Sequence, residues 1–201
     1  YVVATDCCTH AIELCLRHDN IKKLSSSCYT YLSVPMTFVK LGIKFTLTDE
    51  KWLGEYNLKG TRIWDSARLL HPKMYRKGQL QCLSFGNGKP VDNKRGGAIL
   101  CGSKKDYDAL KAMSYDGRDP KHNKWIDQKK FKLGFHYNMP YEHAQNILHR
   151  DLKTQNIFLT GKTKKIPNQY MKDQLSVLDK LEGNVDSLSN RIANVRTWAY
   201  V

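Results

Sequence analysis

Apolar residues at Ala11, Ile12, Cys15 and Leu16 recur with helical spacing, and the polar residues 6–9 supply capping side chains, so the pattern predicts a helix over residues 7–17. Short apolar runs at 27–32, 44–47, 61–64, 81–85 and 97–101 predict strands, while 34–41 returns to a helical period. Short buried strands alternating with helices point to an α/β fold with a mostly parallel sheet covered by helices on both faces. Residues 106–114 predict a surface helix, followed by a polar loop through Lys130.

The character changes near residue 145, which divides the chain into an α/β domain over 1–145, a loop and basic linker over 146–168, and a helix over 169–201. In that last segment Leu178, Val185, Ile192 and Ala199 recur every seven residues, with Leu181, Leu188 and Val195 three after the first three. This narrow apolar seam predicts one long helix, packed on its own domain or on a partner as a coiled coil or hairpin. Gly183 weakens it by about 1 kcal/mol relative to alanine.

Composition adjusts this picture at four points. The 201 residues, 41% hydrophobic and 26% charged, suit a globular chain with a core that needs no staples. No run approaches the roughly 20 apolar residues of a membrane span, and residues 1–5 have neither a charged start nor a signal-length apolar stretch. The six cysteines, Cys7, Cys8, Cys15, Cys28, Cys82 and Cys101, form no C-x-x-C pair and mostly lie in apolar stretches, as small buried residues of a reducing compartment do. The expected location is the cytoplasm. Finally, 33 basic against 19 acidic residues leave a net charge of +14, which attracts phosphates, nucleic acids and acidic surfaces. The basic residues are dispersed and follow no RNA-binding or zinc-finger pattern. Nucleic-acid binding therefore stands as an alternative, in the form of a non-catalytic basic scaffold that binds a partner through its surface or terminal helix.

The segment LSFGNGKP at 83–90, followed by RGGAIL at 95–100, sets Lys89 on a glycine-containing loop at a strand end. An amine so placed is either a solvated loop lysine or a group that forms a Schiff base with a carbonyl. Its surroundings distinguish the two. In order, DCCTHAIEL at 6–14, YTYLSVP at 29–35, IWDSAR at 63–68, SF at 84–85 with Lys89, MSYDGR at 113–118 and LGFHYNM at 133–139 resemble the DegT/DnrJ/EryC1/StrS sugar aminotransferases. The resemblance spans about residues 1–145. It implies the aspartate aminotransferase fold, truncated relative to a complete member, with pyridoxal 5'-phosphate as cofactor and a homodimer as the working unit. A keto-sugar, free or nucleotide-linked, and an amino donor would be the substrates.

Each matched position then carries an implied role. Lys89 would hold the cofactor as a Schiff base and shuttle a proton. Asp65 would pair with the pyridinium nitrogen, Thr9 and the backbone around His10 would cradle the phosphate at a helix start, and Ser84 would set a hydroxyl near that phosphate. Tyr31 would stack on the cofactor ring, and Arg68 would donate to the 3′-oxygen in place of the usual glutamine. His136 stands where an asparagine commonly reaches the neighbouring subunit's phosphate, and Cys8 replaces a glycine of the phosphate turn.

Two shorter resemblances follow. NILHRDLKTQNIFL at 146–159 is similar to the catalytic loop of protein kinases, with Asp151, Lys153 and Asn156 at the positions of base, phosphoryl-steadying lysine and magnesium ligand. Neither a kinase glycine-rich loop nor a D-F-G aspartate accompanies it. Residues 181–188 are similar to a segment of bacterial helicase-like proteins, although no G-x-x-x-x-G-K-[ST] phosphate loop exists in the chain.

Overall fold

A computed structural model describes residues 1–119, 124–141 and 143–144. The kinase-like loop at 146–159, the linker at 161–168 and the heptad-patterned helix at 169–201 lie outside the described residues.

The elements run β1 (Val2–Thr5), α1 (Cys8–His18), β2 (Lys23–Ser27), α2 (Ser33–Lys40), β3 (Lys44–Thr48), β4 (Tyr56–Asn57), β5 (Ile63–Asp65), β6 (Leu80–Ser84), β7 (Gly97–Leu100) and α3 (Lys104–Ser114). Helix α1 starts where Cys7 leaves extended backbone and its sulfur accepts from the His10 N–H at 3.5 Å. It ends at Asn20, whose φ of 51° is a left-handed stop that asparagine tolerates well. Ser103 caps α3 by accepting from the Asp106 N–H at 3.0 Å.

Five strands form one sheet in the order β1-β7-β6-β5-β4, and β2 pairs with β3 in a separate parallel ribbon. The ribbon is tied to the segment after β4 by reciprocal backbone bonds between Ser25 and Lys59 at 3.1 and 2.8 Å. The expected mostly parallel sheet is corrected here: in the five-stranded sheet only β5 and β6 run parallel, and the other three pairings are antiparallel. The cause is the β6–β7 connection, residues 85–96, which holds no crossover helix and turns back through Gly88 and Gly96, both at positive φ.

Among the described residues α1, α2 and α3 all lie on one face of the sheet. On that face Ile12 and Leu16 of α1, Phe38 of α2 and Leu110 of α3 share a buried cluster with Ile63, Leu80, Cys82 and Ile99 of the sheet. On the other, Leu83, Ala98 and Leu100 are covered by Met74, Phe85, Val91 and Met139 from irregular segments. The β5–β6 crossover carries Pro72, Lys73 at φ 61° and Gly78 at φ 82°, which deny it a helix, so it lies on the sheet as a loop. Among the described residues no helix is long and apolar enough to cross a membrane.

Candidate active site

The carboxyl ends of β5 and β6 meet the first turn of α1. Gly97, the first residue of β7, is paired with Ser84, the last of β6. A Cβ on Gly97 would lie 2.5 Å from the Cys7 carbonyl carbon and 2.6 Å from the Cys8 nitrogen, so the absence of a side chain lets the helix start rest directly on the strand. One strand further on, Asp65 ends β5 opposite Cys82.

Asp65 is buried and well furnished with donors. Its Oδ2 accepts from the Tyr56 hydroxyl at 2.9 Å, its Oδ1 accepts from the Ala67 N–H at 3.0 Å, and the Cys8 thiol points at Oδ1 from 3.9 Å. Tyr56 lies directly opposite Asp65 in the β4–β5 pairing, and its hydroxyl also meets the Thr30 hydroxyl. Burial pushes the Asp65 carboxyl above its ordinary range, opposed by Tyr56, by the Ala67 N–H and by the positive charge of Lys89. Burial likewise pushes the Cys8 thiol well up, with the Asp65 charge adding and the Lys89 charge opposing. Cys8 is therefore a protonated donor toward Asp65 rather than a nucleophile. Lys89 itself is half-buried in a turn closed by its N–H on the Gly86 carbonyl at 3.3 Å. Lys89 thus sits on the loop that follows β6, the strand beside β5, whose last residue is Asp65.

The start of α1 adds hydroxyls and a charged imidazole. Thr9 Oγ1 and Ser33 Oγ, on the first turns of α1 and α2, are 2.6 Å apart. His10 Nδ1 is 2.7 Å from Asp6 Oδ1, and this bond raises the imidazole to about 9. The His10 ring stacks on Tyr137 with centroids 3.7 Å apart, and its backbone N–H is taken by Cys7 Sγ. Ser84 is half-buried, and its hydroxyl accepts from the Gly86 N–H at 3.4 Å.

The remaining expected residues stand at the margin. Tyr31 is 78% exposed in the turn before α2, next to Thr30. Arg68 is exposed, its N–H donating to the Gly54 carbonyl at 3.2 Å. His136 is exposed with Nδ1 3.2 Å from Asp116 Oδ2, and no contact among the described residues joins it to Asp65 or Lys89. Tyr56 escaped the sequence reading, since no motif marks it and a two-residue strand such as β4 leaves no periodicity to find. Thr30 and Ser33 lie within the YTYLSVP segment but received no role there.

No protein-family model matches the chain, and no curated protein matches it in sequence. Its structure does find relatives. It is similar to a DegT DnrJ EryC1 StrS aminotransferase from Brucella abortus at 14% identity and a TM-score of 0.62, over 77% of this chain and 54% of that one. It is similar to Helicobacter pylori PseC, an aminotransferase involved in the biosynthesis of pseudoaminic acid, at 12% identity and 0.59, over 77% and 54%. A third neighbour, NtdA from Bacillus subtilis with bound cofactor PMP, gives 17% identity and 0.56 over 75% and 43%. The chain thus spans about half the length of the solved chains it matches. At these identities the likeness is one of fold, and that fold is the one shared by pyridoxal-phosphate-dependent aminotransferases of the DegT/DnrJ/EryC1/StrS type.

Proposed function

We propose that this chain is the cofactor-binding part of a cytoplasmic, pyridoxal-phosphate-dependent aminotransferase that passes an amino group to a keto-sugar and works as a homodimer. The observation that carries this reading is the buried carboxylate of Asp65 at the carboxyl end of β5, set against the first turn of α1 and with Lys89 on the loop that follows the neighbouring β6, where open α/β sheets bind their ligands. The shared fold supports it, and six free cysteines suit a reducing compartment.

The residues present fit the cofactor. A carboxylate has about four acceptor positions, and Asp65 keeps room for a ring N–H beside the donors it already holds. A cation brought against it offsets the cost of burying its charge. The first turn of α1, seated on Gly97, offers N–H groups without intrahelical acceptors and the Thr9 hydroxyl, the setting that holds a phosphate; Ser84 lies alongside through its pairing with Gly97. Cys8, in place of a glycine, turns its thiol toward Asp65.

When bound, the cofactor supplies an electron sink for the carbanion that amino transfer requires. The chain's own residues do the rest. Asp65, steadied by Tyr56 and the Ala67 N–H, keeps a proton on the ring nitrogen. Lys89 holds the cofactor through its amine and, once released, carries a proton to and from the substrate carbon. Tyr31 would cover the ring, Arg68 would donate to the ring oxygen, and His136 would reach the phosphate of the partner subunit's site.

Addition of pyridoxal phosphate to the folded chain tests this. The expected result is a visible absorbance band that borohydride abolishes and that Lys89→Ala lacks. A folded sample with no band, together with RNA binding that weakens steeply as salt is added, would replace the enzyme reading with the basic-scaffold one.

A further inference from the structure

The turn that opens α1 gathers three side chains of a different chemistry. One ligand atom from each of the half-buried Asp6, Cys7 and His10 lies within 4.8 Å of the other two. The backbone that bears them is clamped. The Asp6 N–H donates to the Tyr137 carbonyl at 2.8 Å, the Thr5 hydroxyl donates to the Cys7 carbonyl at 2.9 Å, and the Ala11 N–H donates to that same carbonyl at 3.1 Å. Stacking on Tyr137 fixes the plane of the His10 ring, and Arg95 holds the second carboxylate oxygen of Asp6 at 3.2 Å, leaving Oδ1 to His10 Nδ1. Metal-binding carboxylates and imidazoles are characteristically steadied by such outer contacts.

We propose that Asp6, Cys7 and His10 form a binding site for a divalent transition-metal ion of the zinc class. Thiolate, imidazole and carboxylate together are the donor set of that class, whereas magnesium and calcium select oxygen donors. One thiolate and one carboxylate neutralise a dication. On binding, the ion takes the place of the proton between His10 Nδ1 and Asp6 Oδ1, and the Cys7 thiol releases its proton to solvent. Three protein donors leave a fourth position for water or an anionic group, as in zinc sites that are not purely structural. The site uses side chains to which the aminotransferase reading gives no role.

The test is a titration of the reduced, metal-free chain with cobalt(II), without pyridoxal phosphate, so that its outcome is independent of the aminotransferase reading. The expected result is a thiolate-to-cobalt charge-transfer band that zinc displaces and excess magnesium does not. Cys7→Ser removes the band and weakens cobalt binding at least about tenfold, while circular dichroism confirms the fold, since serine caps a helix at least as well as cysteine. Cys28→Ser, at an exposed cysteine elsewhere, keeps the band. Absence of the band in the folded chain, or its survival in Cys7→Ser, overturns the proposal.

Discussion

Tyr56 donates its hydroxyl to Asp65 Oδ2 at 2.9 Å from the directly opposite position on the neighbouring strand, so the carboxylate is held by the sheet itself. A buried carboxylate is costly unless its oxygens are satisfied. Tyr56→Phe keeps the ring that packs beside Trp52 and removes the donor to Asp65 together with the hydroxyl that Thr30 meets. Urea unfolding at neutral pH should show a loss of about 1.5–3 kcal/mol, the usual worth of a hydrogen bond to a charged group. Cofactor affinity should fall with it.

At Gly97 a single methyl group would press directly on the start of α1. The added Cβ of Gly97→Ala would meet backbone atoms of Cys7 and Cys8 at 2.5 and 2.6 Å, and backbone cannot swing aside as a side chain can. The α1 start must lift off β7, at about 1–3 kcal/mol in equilibrium unfolding. The same shift moves the first turn of α1, and Thr9 with it, relative to β7, so cofactor binding should weaken more than stability alone explains.

Several elements were legible because their apolar residues face one core. Ala11, Ile12, Cys15 and Leu16 of α1, Phe38 of α2 and the continuous buried runs of β6 and β7 all read correctly from spacing. The strand expected at 27–32 was misplaced. The chain pairs the polar Lys23–Ser27, of which Leu24 is the one apolar residue, and spends the aromatic stretch after it on the turn into α2. Strand direction leaves no trace in hydrophobicity, so the antiparallel course of β7 could not be read. Asp65 and Lys89 stand at motif positions in the sequence, whereas Tyr56 reaches Asp65 through a pairing that only the fold creates.

Glu13 offers a test of electrostatics within the same scaffold. It is 1% exposed, accepting from Arg17 at 3.0 and 2.8 Å and from Lys40 at 2.9 Å. Burial pushes its carboxyl up, but the bonds from Lys40 and Arg17 outweigh it and leave the folded value below the ordinary 4.5. A depressed carboxylate contributes in full above its unfolded value and loses that contribution as pH falls through the folded one. Glu13→Gln should therefore cost about 1.5–3 kcal/mol at pH 7. The gap between the two proteins should stay level down to about pH 5 and close below pH 4.5.

The central claim is that one amine among many is set against Asp65. Reduction of the pyridoxal-phosphate-treated chain with borohydride, followed by peptide mapping by mass spectrometry, tests it most directly. The account predicts a label concentrated on Lys89 and lost in Asp65→Ala. A label spread over surface lysines such as Lys104 and Lys22, with Lys89 no more modified than they are, would contradict it.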